Sequence, residues 1–308
     1  MKKTVTSALA ASALALLAAG PAAAADCDSV TFSDVGWTDI TVTTSAAKQV
    51  LTALGYDVDV KVLSVPVTFA ALEAGDVDVF LGNWMPAQES AIRPYLESGA
   101  IEVVGTNLEG TQYTLAVPTY LAEKGLKTYA DVPRFKDELD GKIYGIEPGN
   151  EGNTYLISLT GPGGLFEGFQ VVESSEQGML AQVSRLYPKK EGVVFLGWAP
   201  HPMNANFELT YLTGGEEFFG GAGIVQTVAR KGYLEECPGV GALLKNMTFS
   251  LEMENQIMGE ILDKGAEPDA AVAQWIRANP AALEDWLDGV STRDGSDGLA
   301  AVKDAMGL

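Results

Sequence analysis

The sequence has one histidine and two cysteines among 308 residues. A single histidine argues against His-rich metal centres and most triads. No Gly-x-Ser-x-Gly elbow, His-Glu-x-x-His pair or Gly-x-x-x-x-Gly-Lys-Ser/Thr phosphate loop occurs. The cluster Gly161-Pro162-Gly163-Gly164 follows a helical stretch and lacks the spacing of a nucleotide loop. Abundant carboxylates could hide a glycosidase pair, but no two stand out. His201 stands alone beside Trp198 and Pro200 and reads as a packed loop residue. The chain is therefore read as a non-enzyme with no cofactor and no metal. Cations are scarce too: 20 Lys and Arg face 41 Asp and Glu, a formal charge of −21. Neutralising phosphates takes clustered Lys and Arg, so nucleic acid is not an expected partner. After residue 25 no apolar run approaches the ~20 residues of a membrane-spanning helix.

What is present begins with a leader. Lys2 and Lys3 precede an Ala- and Leu-rich stretch up to Gly20. Pro21 and an Ala run then end in the small-x-small site Ala23-Ala24-Ala25. Residues 1–25 read as a secretory signal peptide, favoured over an anchor because the run is short and ends in a cleavage site. Asp26 before Cys27 argues against lipidation. Cleavage removes Lys2 and Lys3 and takes the formal charge from −21 to −23. The Ala-rich, acidic style looks bacterial and the compartment periplasmic, an oxidising space where Cys27 and Cys237 can pair. With no Cys-x-x-Cys and no nearby His, a disulfide is favoured over a redox or metal role. Closing a loop of that length is worth about 4–5 kcal/mol by chain entropy, as an upper figure.

Hydrophobic residues make up 47% and charged residues 20%, as in an ordered globular chain of about two domains. Strand signals at 30–32, 58–65 and 77–81 alternate with helical ones at 40–54, 68–74 and 88–98. A β-like run at 113–118 leads into a second series. Its strands are expected at 142–146, 169–172, 193–196 and 207–212, with helices at 154–160 and 174–186. After Gly214-Gly215 the pattern reads as helical to the end. Such alternation predicts an α/β fold in which each lobe is a mostly parallel sheet flanked by helices. A 27–237 bridge returns the late chain to its start. The expected division is therefore 26–114 plus 214–308 as the first lobe and 115–213 as the second, with two crossings as a hinge. Clefts between such lobes are preferred ligand sites.

Three of the five tryptophans share one placement. Trp37, Trp84 and Trp198 each follow a Gly by one or two residues, and each is expected in a loop just after a strand. Any one alone could simply cap its lobe's core, but three together favour a shared role. Tyr113 begins the crossover and could point into the same cleft. Trp275 and Trp286 sit in helical patterns and read as core. A ring of aromatic faces suits a quaternary ammonium, which has full charge but no N–H to hydrogen-bond. Each π contact is worth ~0.5–2 kcal/mol. Asp39 could add the matching anion, or it or Thr38 could simply cap the following helix. Asn150, in Glu147-Pro148-Gly149-Asn150, could cap the next helix or reach a ligand's polar group.

Three stretches carry a resemblance: Gly36-Trp37-Thr38-Asp39, Gly82-Asn83-Trp84-Met85-Pro86 and Gly197-Trp198-Ala199-Pro200-His201-Pro202-Met203. They resemble the glycine betaine/choline substrate-binding proteins of ABC importers, over essentially the whole mature chain. The resemblance implies two α/β lobes that close on a ligand by a hinge, in a periplasmic binding protein fold. In the choline-binding branch it implies a box of Trp37, Trp84, Tyr113 and Trp198, with Asp39 as the anion and Asn150 at the hydroxyl end. A carboxylate at Asp39 would accept from choline's hydroxyl and repel betaine's carboxylate. Choline, with acetylcholine weaker, is therefore expected, and glycine betaine or proline betaine is the alternative. A membrane permease is the expected protein partner, and the chain is expected to be a monomer.

Overall fold

The computed structural model describes residues 27–308. The expected signal peptide, 1–25, lies outside them. The described residues form nine strands: β1 (Ser29–Asp34), β2 (Asp57–Val62), β3 (Val79–Met85), β4 (Ile101–Pro118), β5 (Lys142–Tyr144), β6 (Gln170–Val172), β7 (Phe195–Ala199), β8 (Leu209–Tyr211) and β9 (Gly223–Arg230). They join in the order β2-β1-β3-β9-β4-β7-β5-β6, with β8 also paired to β4. The most apolar segments take the most covered places. β3 and β7 are buried along all but their last residue, as a strand covered on both faces requires.

The strand–helix alternation yields its parallel pairs: β1 with β2 and β3, and β5 with β6 and β7. Each half also contains antiparallel pairs, which alternation does not reveal. β9 runs antiparallel between β3 and β4, and β4 runs antiparallel to β7 and β8. The sheet as a whole is mixed.

β9 corrects the expectation of an all-helical chain after residue 214. Its Ile224, Val225, Thr227 and Val228 are β-branched, but the run is short and lies next to helical patterns. The first part of β4 is likewise absent from the sequence reading. There the register against β9 shifts three times, between Val103 and Gly105, Thr106 and Leu108, and Glu109 and Thr111. Each shift breaks the two-residue alternation by which a strand is recognised.

β4 is the spine of the molecule. Ile101–Thr111 pairs with β9 and Gln112–Pro118 with β7 and β8, so one strand serves both halves of the sheet. On the first half, helix α1 (Thr38–Ala53) packs against the helices Leu251–Leu262, Pro268–Ala278 and Gly298–Met306. The C-terminal helices thus cover the N-terminal strand–helix unit. Cys27 and Cys237 are disulfide-bonded, with Cα atoms 5.4 Å apart, which ties the chain's start to the helix Pro238–Asn246.

The bridge spans 210 residues. Changing both Cys27 and Cys237 to Ser should lower unfolding free energy by up to about 5 kcal/mol. The check is the urea midpoint of the double variant beside wild type; identical midpoints would show that the crosslink contributes nothing.

Candidate functional site

Six residues singled out by sequence line one cavity. They are Trp37, Asp39, Trp84, Tyr113, Asn150 and Trp198. They come from both halves of the sheet. Trp84 is carried by β3, Tyr113 by β4 just past its change of partners, and Trp198 by β7. Tyr113 and Trp198 are direct cross-strand neighbours, which accounts for their meeting. Trp37 sits immediately before α1. Asp34 holds the turn leading to it, accepting from the Gly36 N–H at 2.7 Å and from the Thr41 hydroxyl at 2.8 Å.

Two local expectations are corrected. Trp84 and Trp198 lie in strands, not in loops after them, because antiparallel pairing with β9 and β4 prolongs β3 and β7. Neither Thr38 nor Asp39 caps α1. The cap position is Trp37, whose side chain makes no capping hydrogen bond. Asn150 does cap the helix Glu151–Ser158, accepting from the Gly152 and Asn153 N–H groups.

The cavity's aromatic walls are held by their polar handles. The Trp84 indole N–H donates to Asp39 Oδ2 at 3.0 Å and that of Trp37 to Glu147 Oε2 at 2.9 Å. The Tyr113 hydroxyl donates to Asn150 Oδ1 at 3.0 Å. A methyl group on Gly152 would lie 2.3 Å from that hydroxyl, so only glycine lets the helix approach the ring. These hydrogen bonds fix the rings of Trp37, Trp84 and Tyr113. Tyr113 stands edge-on to Trp84 (6.2 Å, 66°) and to Trp198 (6.4 Å, 83°). These near-perpendicular walls enclose space, whereas a parallel stack would fill it. Phe219 backs Tyr113 at 4.9 Å, again edge-on.

The polar side of the cavity consists mainly of acceptors. Asp39 is 1% exposed, and its Oδ1 has no protein partner. Burial, then the nearby Glu176, pushes its carboxyl up to about 7, partly offset by the Trp84 N–H. Gln88 and Glu151, which the sequence reading did not single out, also line the cavity and leave Oε1 atoms unpartnered. Burial pushes Glu151 up to about 7. Burial also raises Glu147, against the opposing donation from Trp37. Glu147 and Glu151 flank Asn150 in sequence, so their proximity was the available signal. Glu254 gave none. It is 1% exposed on the helix Leu251–Leu262, and burial followed by the Asp39 charge drives its carboxyl well above the ordinary range.

Such a cavity suits a small cation: its lining combines four aromatic rings with the acceptors of Asp39, Gln88, Asn150 and Glu151 and includes no Lys or Arg. Fold and cavity define a two-lobed protein that captures a small ligand. Residues 28–278 match the substrate-binding domain of the ABC-type glycine betaine transport system, OpuAC, and the chain belongs to that family. It is thus a substrate-binding protein of an ABC transporter and not an enzyme. Among solved structures, an ABC-transporter choline-binding protein in complex with choline is 57% identical, with a TM-score of 0.88, over 91% of this chain and 98% of that one. A choline-binding protein in an unliganded semi-closed conformation is 57% identical with a TM-score of 0.84, over 92% and 99%. An uncharacterised protein, ORF1, of Chromohalobacter salexigens is 50% identical over 130 residues, 42% of this chain and 84% of its own. No helix among the described residues is long and apolar enough to cross a membrane, and substrate-binding proteins of importers work outside the cytoplasm.

Glu254 gives a stability prediction with a definite sign. A carboxyl raised in the folded state costs nothing where both states are protonated, below about pH 4.5, and destabilises as pH climbs toward its folded value. Glu254→Gln removes that loss. Its Tm should gain on wild type progressively from pH 5 to pH 8, and a gap that stays constant or narrows would contradict burial of an unpaired carboxyl.

Proposed function

We propose that this chain captures choline outside the cytoplasmic membrane and delivers it to the permease of an ABC importer. The reading rests chiefly on one observation: four aromatic residues enclose a cavity whose acidic end, Asp39, keeps an unpartnered oxygen. Trp37, Trp84, Tyr113 and Trp198 hold the trimethylammonium group by cation–π attraction, at ~0.5–2 kcal/mol per face and more when desolvated. Asp39 Oδ1 accepts from the ligand's hydroxyl, and the Asn150 amide donates to it. A hydroxyl can donate and accept together; a carboxylate only accepts, and it would face the Asp39 charge. That disfavours glycine betaine, the substrate named for the family. The choline complex of the 57%-identical protein lends further support.

In this reading the lobes are 26–114 plus 214–308 and 115–213. The hinge consists of β4, where it changes partners, and the return segment between β8 and β9. Opening separates Trp37, Asp39 and Trp84 from Asn150 and Trp198. Choline bridges the two sets and draws the population to the closed form by its higher affinity for that state. The protein works as a periplasmic monomer released from its signal peptide.

Calorimetric titration tests the ligand. Choline should give saturable heat with at least tenfold tighter binding than glycine betaine; the reverse order would establish the betaine alternative. Trp84→Ala should weaken choline binding at least tenfold with an unchanged circular dichroism spectrum, and an unchanged Kd would remove Trp84 from the cage. Protons compete with a cation for Asp39, whose carboxyl sits at about 7 in the closed cavity. Choline's Kd should therefore rise as pH falls from 8 to 5, and Asp39→Asn should flatten that slope while weakening binding throughout. A pH-independent wild-type Kd would count against an ionised Asp39 in the complex.

A further inference from the structure

Helix α1 lacks a cap of its own, yet its N-terminus is buried. The Thr38 N–H is the first donor of a sixteen-residue helix, and such a group is costly to bury without an acceptor. The acceptor comes from the other side of the cleft. The Thr38 N–H donates to Glu176 Oε2 at 2.8 Å, and the Thr38 hydroxyl donates to Glu176 Oε1 at 2.8 Å. Glu176 begins the helix Glu176–Leu186, 138 residues further along the chain.

Glu176 is itself fixed from behind. His201 Nδ1 accepts from the Met203 N–H at 2.9 Å, which leaves Nε2 to donate to Glu176 Oε1 at 2.9 Å. The side chains of Glu176 and His201 are 0% and 2% exposed. Three donors thus converge on one carboxylate shut off from water, at the positive end of the α1 dipole. Other polar contacts cross the cleft, but with less leverage. The Asn206–Asp263 hydrogen bond of 2.7 Å is exposed to water, and bonds in that setting contribute little. The Trp37–Glu147 bond is only partly buried.

We infer that Glu176 is an interlobe latch: it caps α1 in trans when the lobes close and so sets the closing equilibrium. Glu176 and His201 do not line the ligand cavity, so Glu176 is a positioning residue. The Thr38 bonds exist only when the halves are together, whereas the Glu176–His201–Met203 chain lies within one half and persists in the open form. Opening therefore leaves the carboxylate preorganised and exchanges its two Thr38 bonds for water. The latch also explains why Trp37 and Thr38 adjoin in sequence. The same closing movement that seats Trp37 in the cage seats Thr38 on Glu176, so ligand enclosure and helix capping are coupled by one peptide bond. This inference rests on the two-lobe reading above but not on the identity of the ligand.

The test combines choline binding kinetics with a ligand-independent distance. Spin labels at Val62 and Leu165, exposed and on opposite lobes, report opening by pulsed dipolar spectroscopy. Glu176→Ala should move the distance distribution toward longer values without choline. It should also raise choline's koff and Kd about 10–100-fold, the range for buried hydrogen bonds to a charge, with kon changed less than threefold. Thr38→Val retains Glu176 and His201, which guards against simple loss of folding; it should raise koff less, in the same direction. In the Glu176→Ala background Thr38→Val should add nothing. Unchanged distances and koff in folded Glu176→Ala, or fully additive effects, would overturn the latch. If wild type fails to bind choline, the ligand assignment falls and the distance distributions alone decide the latch.

Discussion

An indole or phenol can turn its face to a ligand only if its polar group is satisfied elsewhere. This requirement organises the centre of the protein. Asp39 takes the Trp84 N–H, Glu147 takes the Trp37 N–H and Asn150 takes the Tyr113 hydroxyl. Each acceptor fixes a ring and adds negative potential to the space the rings enclose. Two of the acceptors are carboxylates buried at some electrostatic cost, visible in their raised affinity for protons. A cation in the cavity would offset that cost. The bulk charge of −21 has little part in this, because surface attraction is screened within about 8–10 Å at physiological salt. On the proposed reading, the potential that selects a ligand is local, supplied by ring faces and Asp39.

The same side chains connect the site to the fold. Trp84, Tyr113 and Trp198 lie on strands that pair with one another or with β9, so the sheet's register sets the cage geometry. Trp37 instead stands at a helix start whose first N–H is satisfied only from across the cleft. Three walls are thus built into the sheet, and the fourth stands at the start of a helix. β4 passes through both halves of the sheet and changes partners beside Tyr113.

Much of this was legible in the sequence, for reasons that differ from residue to residue. The cage tryptophans were visible because a large aromatic beside Gly and Pro at a strand's end has few roles in a core. The cysteine pair was visible by elimination and compartment. Residues 101–112 and 223–230 were not, since bulges and a short β-branched run hide a strand whose identity depends on its partners. That same omission placed Trp84 and Trp198 in loops. Glu254, Glu176 and His201 lay beyond reach for a related reason. A lone acidic residue on a polar helix looks like a solvated one, and only the tertiary packing shows that it is buried and what it faces.

The central claim is that charge held by aromatic faces, rather than shape, selects the ligand. Its most direct test compares choline with 3,3-dimethylbutan-1-ol, in which a carbon replaces the ammonium nitrogen at nearly the same shape. Calorimetric titration of both under identical conditions reads the charge contribution alone. The account predicts at least a hundredfold weaker binding of the neutral isostere, about 2.7 kcal/mol. Equal affinities would mean that the cavity selects by shape and burial, and would contradict the cage as described.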